Sequence, residues 1–391
     1  MSSTPAEATL EHVRRLIAFD TTSRDSNLPL IEHAAALLAG VGVDATLVLD
    51  ETGAKANLFA TFPAADGAVD GGIVLSGHTD VVPVDGQAWS SDPFAAEVRD
   101  GRLYGRGACD MKSFVGVVLS RLPAIAAMPL AEPLHLALSY DEEVGCFGAA
   151  DLVQAMTDAG IRPRGCIVGE PTGMRVVRGH KSITVIRVDV RGVAAHSSLT
   201  PDGVNAIALA AEFVHFVEEV AAEFRQSGPF DDAYVVPYTT ATVNRIDGGI
   251  AVNTIPADCT LTFEFRALAA VDLDATIGRF RAQAQRIAAA AAQRHPEAGV
   301  ELTVLASVPG VDTAADASIV AQAASWGGIP SDGKVTYGTE AGLFDRAGIP
   351  TVVCGPGEIA QAHAPDEFIE LDQIAACERF IDALVASLRA R

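Results

Sequence analysis

The chain has 391 residues, of which 49% are hydrophobic and 20% are charged, and this composition excludes a disordered or collagen-like protein. Fifty acidic against 28 basic residues leave a formal net charge of −22, which argues against binding to nucleic acids or anionic membrane surfaces. The six cysteines include no C-x-x-C pair, and neither a secretory signal nor an apolar run long enough to span a membrane is visible. We therefore expect a cytoplasmic protein with reduced thiols.

Short apolar runs alternate with amphipathic stretches over the first 180 residues. The predicted elements are helices at 6–18 and 30–39, strands at 46–49, 57–62 and 72–76, a helix at 113–122 ended by Pro123, a strand at 134–139, a helix at 148–159 and a strand at 165–168. Strands that alternate with helices of this length favour an α/β layer with a largely parallel sheet.

The pattern changes from residue 182 and returns to the α/β type after Pro309. The predicted elements are strand 182–191, helix 203–224, strands 239–247, 251–255 and 259–266, helix 273–294 and strand 300–306, then helix 317–326, strands 335–337 and 350–354, and helix 371–389. The middle part follows the β-α-β-β-α-β order of ferredoxin-like folds, with helices on one face of an antiparallel sheet. We therefore predict an α/β domain of residues 1–180 and 308–391, with an α+β domain of residues 181–307 inserted into it.

Acidic residues and one histidine follow several of the predicted strands or precede a helix. These residues are His78, Asp80, Asp110, Glu142, Glu143 and Glu170. Taken singly, Asp110 could cap the helix, the glutamate pair could be a solvated turn, and His78 could be structural. Open α/β sheets, however, bind their ligands at the carboxyl ends of strands. Clustered carboxylates require a counter-charge there, and carboxylates with a histidine suit a pair of divalent cations such as zinc in a catalytic site.

Four segments around these residues resemble the successive signatures of the M20 family, which contains dinuclear zinc amidohydrolases and exopeptidases. The segments are Ser76-Gly-His-Thr-Asp-Val-Val-Pro83, Gly105-Arg-Gly-Ala-Cys-Asp-Met-Lys112, Asp141-Glu-Glu143 and Gly169-Glu-Pro-Thr172. The resemblance extends over essentially the whole chain. It implies a catalytic domain of the zinc-exopeptidase type with an inserted lid and dimerisation domain.

The resemblance also implies a role for each candidate residue. Each subunit would bind two zinc ions, with Co²⁺ able to replace them. The implied metal ligands are His78 and Glu170 for one ion, Glu143 and His363 for the other, and Asp110 for both. Glu142 would be the general base, and Asp80 would hold the imidazole of His78.

Three residues of the inserted domain match family positions that contact the substrate. His196 would reach the active site of the other subunit of a homodimer and face the reacting carbonyl, although a lone histidine after a strand is also often structural. Asn253 and Arg266 would hold the substrate carboxylate, since arginine suits bidentate carboxylate recognition. Arg266 could instead form an ion pair with Glu264 or Asp258.

Two further segments, Tyr337-Gly-Thr-Glu-Ala-Gly342 and the one from Cys354 to His363, resemble the acetylornithine deacetylase branch of the family. Gly338, Thr339 and Glu340 are thus candidate substrate-binding residues, and Glu340 would either meet the side-chain ammonium of ornithine or open a helix. The expected activity is hydrolysis of a small N-acyl amino acid, N-acetyl-L-ornithine above all, in arginine biosynthesis.

Other activities compete with this expectation. Within the family they are a succinyl-diaminopimelate desuccinylase and another aminoacylase or exopeptidase. Outside enzymes, a metal-dependent binding protein could be built on the same fold. Glu142 argues against the binding protein, because binding alone requires no general base.

Overall fold

The computed structural model describes residues 4–390, and the chain divides into two compact units. One unit comprises Met1–Gly179, Val311–Lys334 and Thr339–Arg391, and the other comprises His180–Gly310 and Val335–Gly338. The second unit is therefore an insertion into the sequence of the first. In the described part of the chain, no helix is both long enough and apolar enough to cross a membrane.

Helices and strands cover most of both units. The helices are α1 (Glu7–Ile17), α2 (Leu28–Gly40), α3 (Lys112–Ala126), α4 (Phe147–Asp158), α5 (Ala206–Ser227), α6 (Leu273–Arg294), α7 (Ser318–Ser325), α8 (Ala341–Arg346) and α9 (Leu371–Ser387). The strands are β1 (Ala45–Leu49), β2 (Ala56–Phe62), β3 (Ile73–His78), β4 (Glu97–Arg99), β5 (Arg102–Tyr104), β6 (Leu134–Ser139), β7 (Gly165–Pro171), β8 (Arg175–Val176), β9 (Gly179–His180), β10 (Ile183–Arg191), β11 (Thr240–Gly248), β12 (Asp258–Arg266), β13 (Gly299–Val308), β14 (Val311–Asp312), β15 (Ile329–Pro330), β16 (Thr351–Gly355) and β17 (Phe368–Glu370).

The first unit is built on a mixed sheet whose described strands lie in the order β1-β2-β6-β3-β7-β16. The strands from β6 to β16 run parallel to one another, and β1 and β2 are antiparallel at one edge. Every residue of β3, β6 and β7 is buried, which explains why these strands are continuous apolar runs in the sequence. Helix α3 packs against α1 and α9 in the hydrophobic core of this unit. The predicted α/β class is confirmed.

The second unit has the predicted β-α-β-β-α-β order, formed by β10, α5, β11, β12, α6 and β13. Its antiparallel sheet has the order β11-β12-β10-β13, and residues along β10 and β12 alternate between buried and more exposed. Both helices contribute to the core, in which the rings of Phe263 and Phe280 lie 4.8 Å apart. This packing explains the helical and alternating apolar patterns of the sequence.

Three predicted elements are wrong. Residues 251–255 and 335–337 form no strand; the first range contains a turn in which the N–H of Thr254 donates to the carbonyl of Ala251, just before Pro256. The helix predicted to end at Pro123 continues to Ala126. Pro123 has no backbone N–H to donate within the helix, but helical hydrogen bonds form again in the turn that follows it. The packing of α3 outweighs the stability lost at the proline.

Candidate active site

The candidate metal ligands of the first unit are positioned by adjacent parallel strands. His78 is the last residue of β3, Glu170 lies near the end of β7, and Glu143 follows β6 closely. Because β6, β3 and β7 are neighbours and run parallel, their carboxyl ends meet at one edge of the sheet. Asp110 lies just before α3. The N-cap residue of α3 is Met111, so Asp110 lies one residue before the capping position, and its described side-chain contacts are with His78 and His363 instead.

The ligand atoms of these residues form two groups that share Asp110. In the first group, His78 Nε2 lies 3.0 Å from Asp110 Oδ1 and 3.5 Å from Glu170 Oε1. In the second, His363 Nε2 lies 3.2 Å from Asp110 Oδ2 and 3.0 Å from Glu143 Oε2. Within each group the ligand atoms lie within 4.8 Å of one another. One carboxylate thus offers a different oxygen to each group, which is the arrangement that a bridging ligand requires.

Burial and mutual repulsion determine the protonation of these groups. Burial and the nearby carboxylate of Asp110 raise the pKa of Glu170 well above its usual range, and burial likewise raises the pKa values of Glu142 and Glu143. Hydrogen bonds to Asp110 and Glu143 raise the pKa of His363 to about 10. Burial and repulsion thus disfavour the charged forms of these glutamates, and a nearby cation would favour them again.

The donor set fits divalent metal ions. Among the described residues, Glu143 Oε1 and Glu170 Oε1 are buried oxygens without a hydrogen-bond partner, although such atoms are nearly always paired in proteins. Two cations would satisfy these oxygens and offset the repulsion. Imidazole and carboxylate ligands without a thiolate suit zinc in a catalytic site and also other first-row divalent ions.

Asp80 makes contacts both through its backbone oxygen and through its carboxylate. Its backbone oxygen lies 2.9 Å from His78 Nδ1, whereas its carboxylate is 3.6 Å away, so the carbonyl takes the hydrogen bond that orients the ring. The carboxylate instead accepts hydrogen bonds from Ser23 Oγ at 2.7 Å and from the backbone N–H groups of Glu142 at 3.1 Å and Glu143 at 3.3 Å. Asp80 therefore fixes both the imidazole and the loop that carries the two glutamates.

The loop after β6 has further support that the sequence did not predict. Lys55 Nζ donates to the carboxylate of Asp141 at 2.6 Å and to the backbone oxygen of Ser23 at 2.5 Å. The thiol of Cys146 donates to Glu142 Oε1 at 3.4 Å. Lys55 is one of four lysines in the chain, and this rarity is the one sequence signal that could have drawn attention to it.

Close packing joins two ligand-bearing elements. Gly169 precedes Glu170 on β7, and a Cβ atom at this glycine would lie 2.1 Å from the Phe114 ring atom Cγ. Phe114 is in the first turn of α3, just after Asp110. A side chain at position 169 would therefore displace the helix that follows Asp110.

The predicted catalytic residue His196 and the predicted substrate-binding residues are divided between the units. His196, Asn253, Arg266 and Gly338 belong to the second unit, and Thr339 and Glu340 to the first. The His196 side chain is exposed, with Nδ1 2.7 Å from Ser198 Oγ. Arg266 pairs with Glu264 at 3.0 Å, which is one of the two ion pairs considered as alternatives for it. The side chains of Asn253 and His196 are both accessible to solvent.

Glu340 is fully buried and contacts residues of β3 and β6. Its carboxylate accepts hydrogen bonds from Ser76 Oγ at 2.6 Å and Ser139 Oγ at 2.5 Å, and burial raises its pKa. It directly precedes α8, but its side chain forms no cap hydrogen bond among the described contacts. The adjacent Thr339 is buried as well and accepts a hydrogen bond from the N–H of Ala341 at 3.1 Å.

Comparisons with known proteins identify the family. The sequence model of the family described as Peptidase family M20/M25/M40 matches residues 74–387 of this chain. This range includes every candidate metal ligand. An Acetylornithine deacetylase of Myxococcus xanthus is 36% identical over 374 residues, covering 95% of each chain, and one of Pasteurella multocida is 33% identical, covering 92% of this chain and 91% of the relative. The solved M20 family metallo-carboxypeptidase of Sulfolobus solfataricus has the same fold, with a TM-score of 0.76 and 17% identity over 96% of this chain and 98% of that one. The chain therefore belongs to Peptidase family M20/M25/M40 and is a metal-dependent hydrolase of amide bonds.

Proposed function

We propose that this enzyme removes the acetyl group from N-acetyl-L-ornithine, releasing ornithine and acetate, as a step of arginine biosynthesis. The observation that carries the proposal is the pair of ligand groups sharing Asp110, with the non-ligand carboxylate of Glu142 beside them. Two metal sites and a free carboxylate base are together suited to the hydrolysis of an amide. The name shared by the two relatives, at 36% and 33% identity, supports the choice of substrate.

Two zinc ions per subunit fit the two ligand groups, and Co²⁺ would be able to replace them. His78 and Glu170 would hold one ion, Glu143 and His363 the other, and Asp110 both. When bound, the ions supply the Lewis acidity that activates water and polarises the substrate carbonyl.

Glu142 is the proposed general base. One of its carboxylate oxygens accepts the proton of the attacking water, and the carboxylic acid then returns this proton to the nitrogen of the leaving amine. Burial already raises the pKa of Glu142, which makes its carboxylate a stronger base than an exposed one. The hydrogen bond from its backbone N–H to Asp80 fixes the position of Glu142 relative to the metal ligands.

The second unit would act as a lid and as a dimerisation domain. We propose that His196 serves the active site of the partner subunit and that Asn253 and Arg266 bind the carboxylate of the substrate. Arg266 is partly exposed and would exchange Glu264 for this carboxylate. Ile250 is 90% exposed and Val252 is fully exposed, as expected where two copies of a chain associate.

The remaining candidates are Gly338, Thr339 and Glu340, which we propose to line the substrate site. The buried carboxylate of Glu340 is held by two serines. It would therefore pair with the ammonium of ornithine only if the side chain of the substrate reached this buried position. Comparing acetylated ornithine with an acetylated neutral amino acid in a Glu340→Gln variant tests this role, because only the charged substrate should lose affinity.

A substrate panel with defined metal content tests the proposal. The protein is stripped by a chelator, reconstituted with zinc or cobalt, and assayed on N-acetyl-L-ornithine, N-succinyl-diaminopimelate and a dipeptide, with the metal per subunit measured in parallel. Activity should vanish on stripping, return with either ion, and show its highest kcat/KM on acetylornithine. Asp110→Ala should be the most damaging ligand substitution, since it removes a ligand from both groups.

Two results would contradict parts of the proposal separately. Full activity after exhaustive chelation would overturn the metal mechanism. A higher kcat/KM for the succinylated substrate or for the dipeptide would leave the mechanism intact and overturn the assignment of acetylornithine.

A further inference from the structure

Glu367 holds the loop that carries Asp110. Its side chain is 1% exposed, and its Oε1 atom accepts hydrogen bonds from the backbone N–H of Cys109 at 2.8 Å and of Asp110 at 3.1 Å. Its Oε2 atom pairs with Arg106 Nη1 at 2.5 Å, and the guanidinium is equally buried. A buried carboxylate thus satisfies two backbone donors at the proposed bridging ligand.

The hydrogen bonds continue from Arg106 to the backbone of His363. Arg106 Nη2 donates to Gln87 Oε1 at 2.6 Å, and Gln87 Nε2 donates to the carbonyl oxygen of His363 at 3.0 Å. The indole of Trp89 supports both side chains, since its Nε1 donates to Gln87 Oε1 at 3.0 Å and its ring lies 5.1 Å below the guanidinium. We call Gln87, Arg106 and Glu367 the Arg106 network.

His363 needs such a connection more than His78 does. The His78 side chain is fully buried and its ring is oriented by the carbonyl of Asp80. The His363 side chain is 49% exposed, so packing restricts it less. The position of the His363 backbone relative to Asp110 therefore determines whether the second group keeps its geometry.

We infer that Gln87, Arg106 and Glu367 are positioning residues that set the distance between Asp110 and His363. Through this distance they determine the metal affinity of the second group, formed by Asp110, Glu143 and His363, more than that of the first. The inference rests on the proposed function, in which these groups hold metal ions. Hydrogen-bonded residues behind metal ligands typically change affinity by about 10–100-fold when they are replaced.

Gln87 is the residue to vary, because replacing Arg106 or Glu367 would leave a buried charge without its partner and destabilise the fold. Gln87→Glu keeps an acceptor oxygen for Arg106 and Trp89 but cannot donate to His363. Gln87→Leu removes both contacts. Arg102→Gln is the matched control, since it breaks the Arg102–Glu370 pair of 2.8 Å between the neighbouring strands β5 and β17 without touching the Arg106 network.

The metal-free proteins are titrated with zinc in a calorimeter, and their thermal unfolding is followed without metal. Both Gln87 variants should bind one zinc ion as the wild type does and the other about 10–100-fold more weakly. The metal-free unfolding midpoint of Gln87→Glu should match that of the wild type, whereas Gln87→Leu should unfold somewhat earlier because Arg106 and Trp89 lose an acceptor. With cobalt, the visible absorption of the weakened site should change, whereas Arg102→Gln should behave as the wild type throughout.

Three results would count against these ideas, and they are distinguishable. A Gln87→Leu protein with both zinc affinities unchanged would overturn the positioning role. An equal loss at both sites together with a lower metal-free unfolding midpoint would indicate a merely structural role and overturn it too. A wild-type chain that binds no zinc or cobalt would overturn the proposed function itself.

Discussion

The carboxylate of Asp80 accepts a hydrogen bond from the backbone N–H of Glu142 at 3.1 Å. The same residue orients His78 through its backbone carbonyl at 2.9 Å. One aspartate thus links a proposed metal ligand to the proposed general base. A change at Asp80 should therefore affect the base even when the metal ligands remain in place.

Asp80→Asn should lower kcat by about 10–100-fold while both metal ions stay bound. The asparagine keeps the backbone carbonyl that orients His78. Its side-chain NH2 group, however, would face the backbone N–H groups of Glu142 and Glu143 and could not accept their hydrogen bonds. The measurement is kcat together with metal content. Ser23→Ala, which removes one neutral hydrogen bond to the same carboxylate, is the control and should cause a smaller loss. An unchanged kcat in Asp80→Asn would show that the base does not depend on this contact.

Glu142→Gln should leave metal content nearly intact and reduce turnover by roughly two to four powers of ten. The amide preserves the shape of the side chain but cannot accept the proton of water. Glu143→Gln is the matched comparison, because it should release one ion from the group with Asp110 and His363. If Glu142→Gln lost an ion and Glu143→Gln retained both, the assignments of base and ligand would have to be exchanged.

Active sites with residues from two subunits can be restored by mixing inactive variants. His196→Ala and Glu142→Gln proteins should each be almost inactive. A heterodimer of the two should contain one site with both residues intact and recover up to about half of the wild-type activity. Co-refolding of differently tagged proteins, isolation of the mixed species and an assay provide the measurement. Verified heterodimers without recovered activity would mean that His196 does not act across the dimer.

His180 should make the second unit sensitive to acid. Its ring is fully buried, Nδ1 lies 2.8 Å from the carbonyl oxygen of Lys181, and Nε2 has no hydrogen-bond partner in the described part of the chain. Burial lowers the pKa of His180 from 6.5 to about 4. Between these two values the unfolded chain binds a proton that the folded chain does not, so the free energy of unfolding decreases as the pH falls through this window.

Because of this histidine, the free energy of unfolding should be about 3 kcal/mol lower at pH 4 than at pH 7. Because Asn can replace the donor at Nδ1 without titrating, His180→Asn should lose less stability on acidification than the wild type. Urea unfolding of the metal-free proteins at several pH values measures the difference. Parallel pH dependence in the two proteins would contradict the effect.

Local patterns in the sequence were sufficient to predict the main elements. The buried runs of β3 and β6 and the alternation along β10 and β12 have periods that are visible in a single chain. Strands of three residues, such as β4 and β5, are too short to show a period. The strand predicted at 251–255 was wrong because an apolar run before a proline can equally form a turn.

The candidate site was predictable where ligands lie at the carboxyl ends of strands, as His78 and Glu170 do. His363 follows no such rule and was identified only from the family resemblance. The contacts of Lys55 with Asp141 and of Glu367 with Asp110 join distant segments, so no local pattern encodes them. The sequence predicted that Asp80 would hold the imidazole of His78. Only the structure shows that its backbone carbonyl, and not its carboxylate, makes this hydrogen bond.

The contact between Gly169 and the Phe114 ring has a consequence for how such a site can evolve. Since a Cβ atom at Gly169 would overlap the ring, position 169 cannot gain a side chain unless residue 114 becomes smaller or moves. A relative with a side chain at the first position should therefore carry a smaller residue at the second. The contact therefore constrains the distance between Glu170 and the helix after Asp110 during evolution.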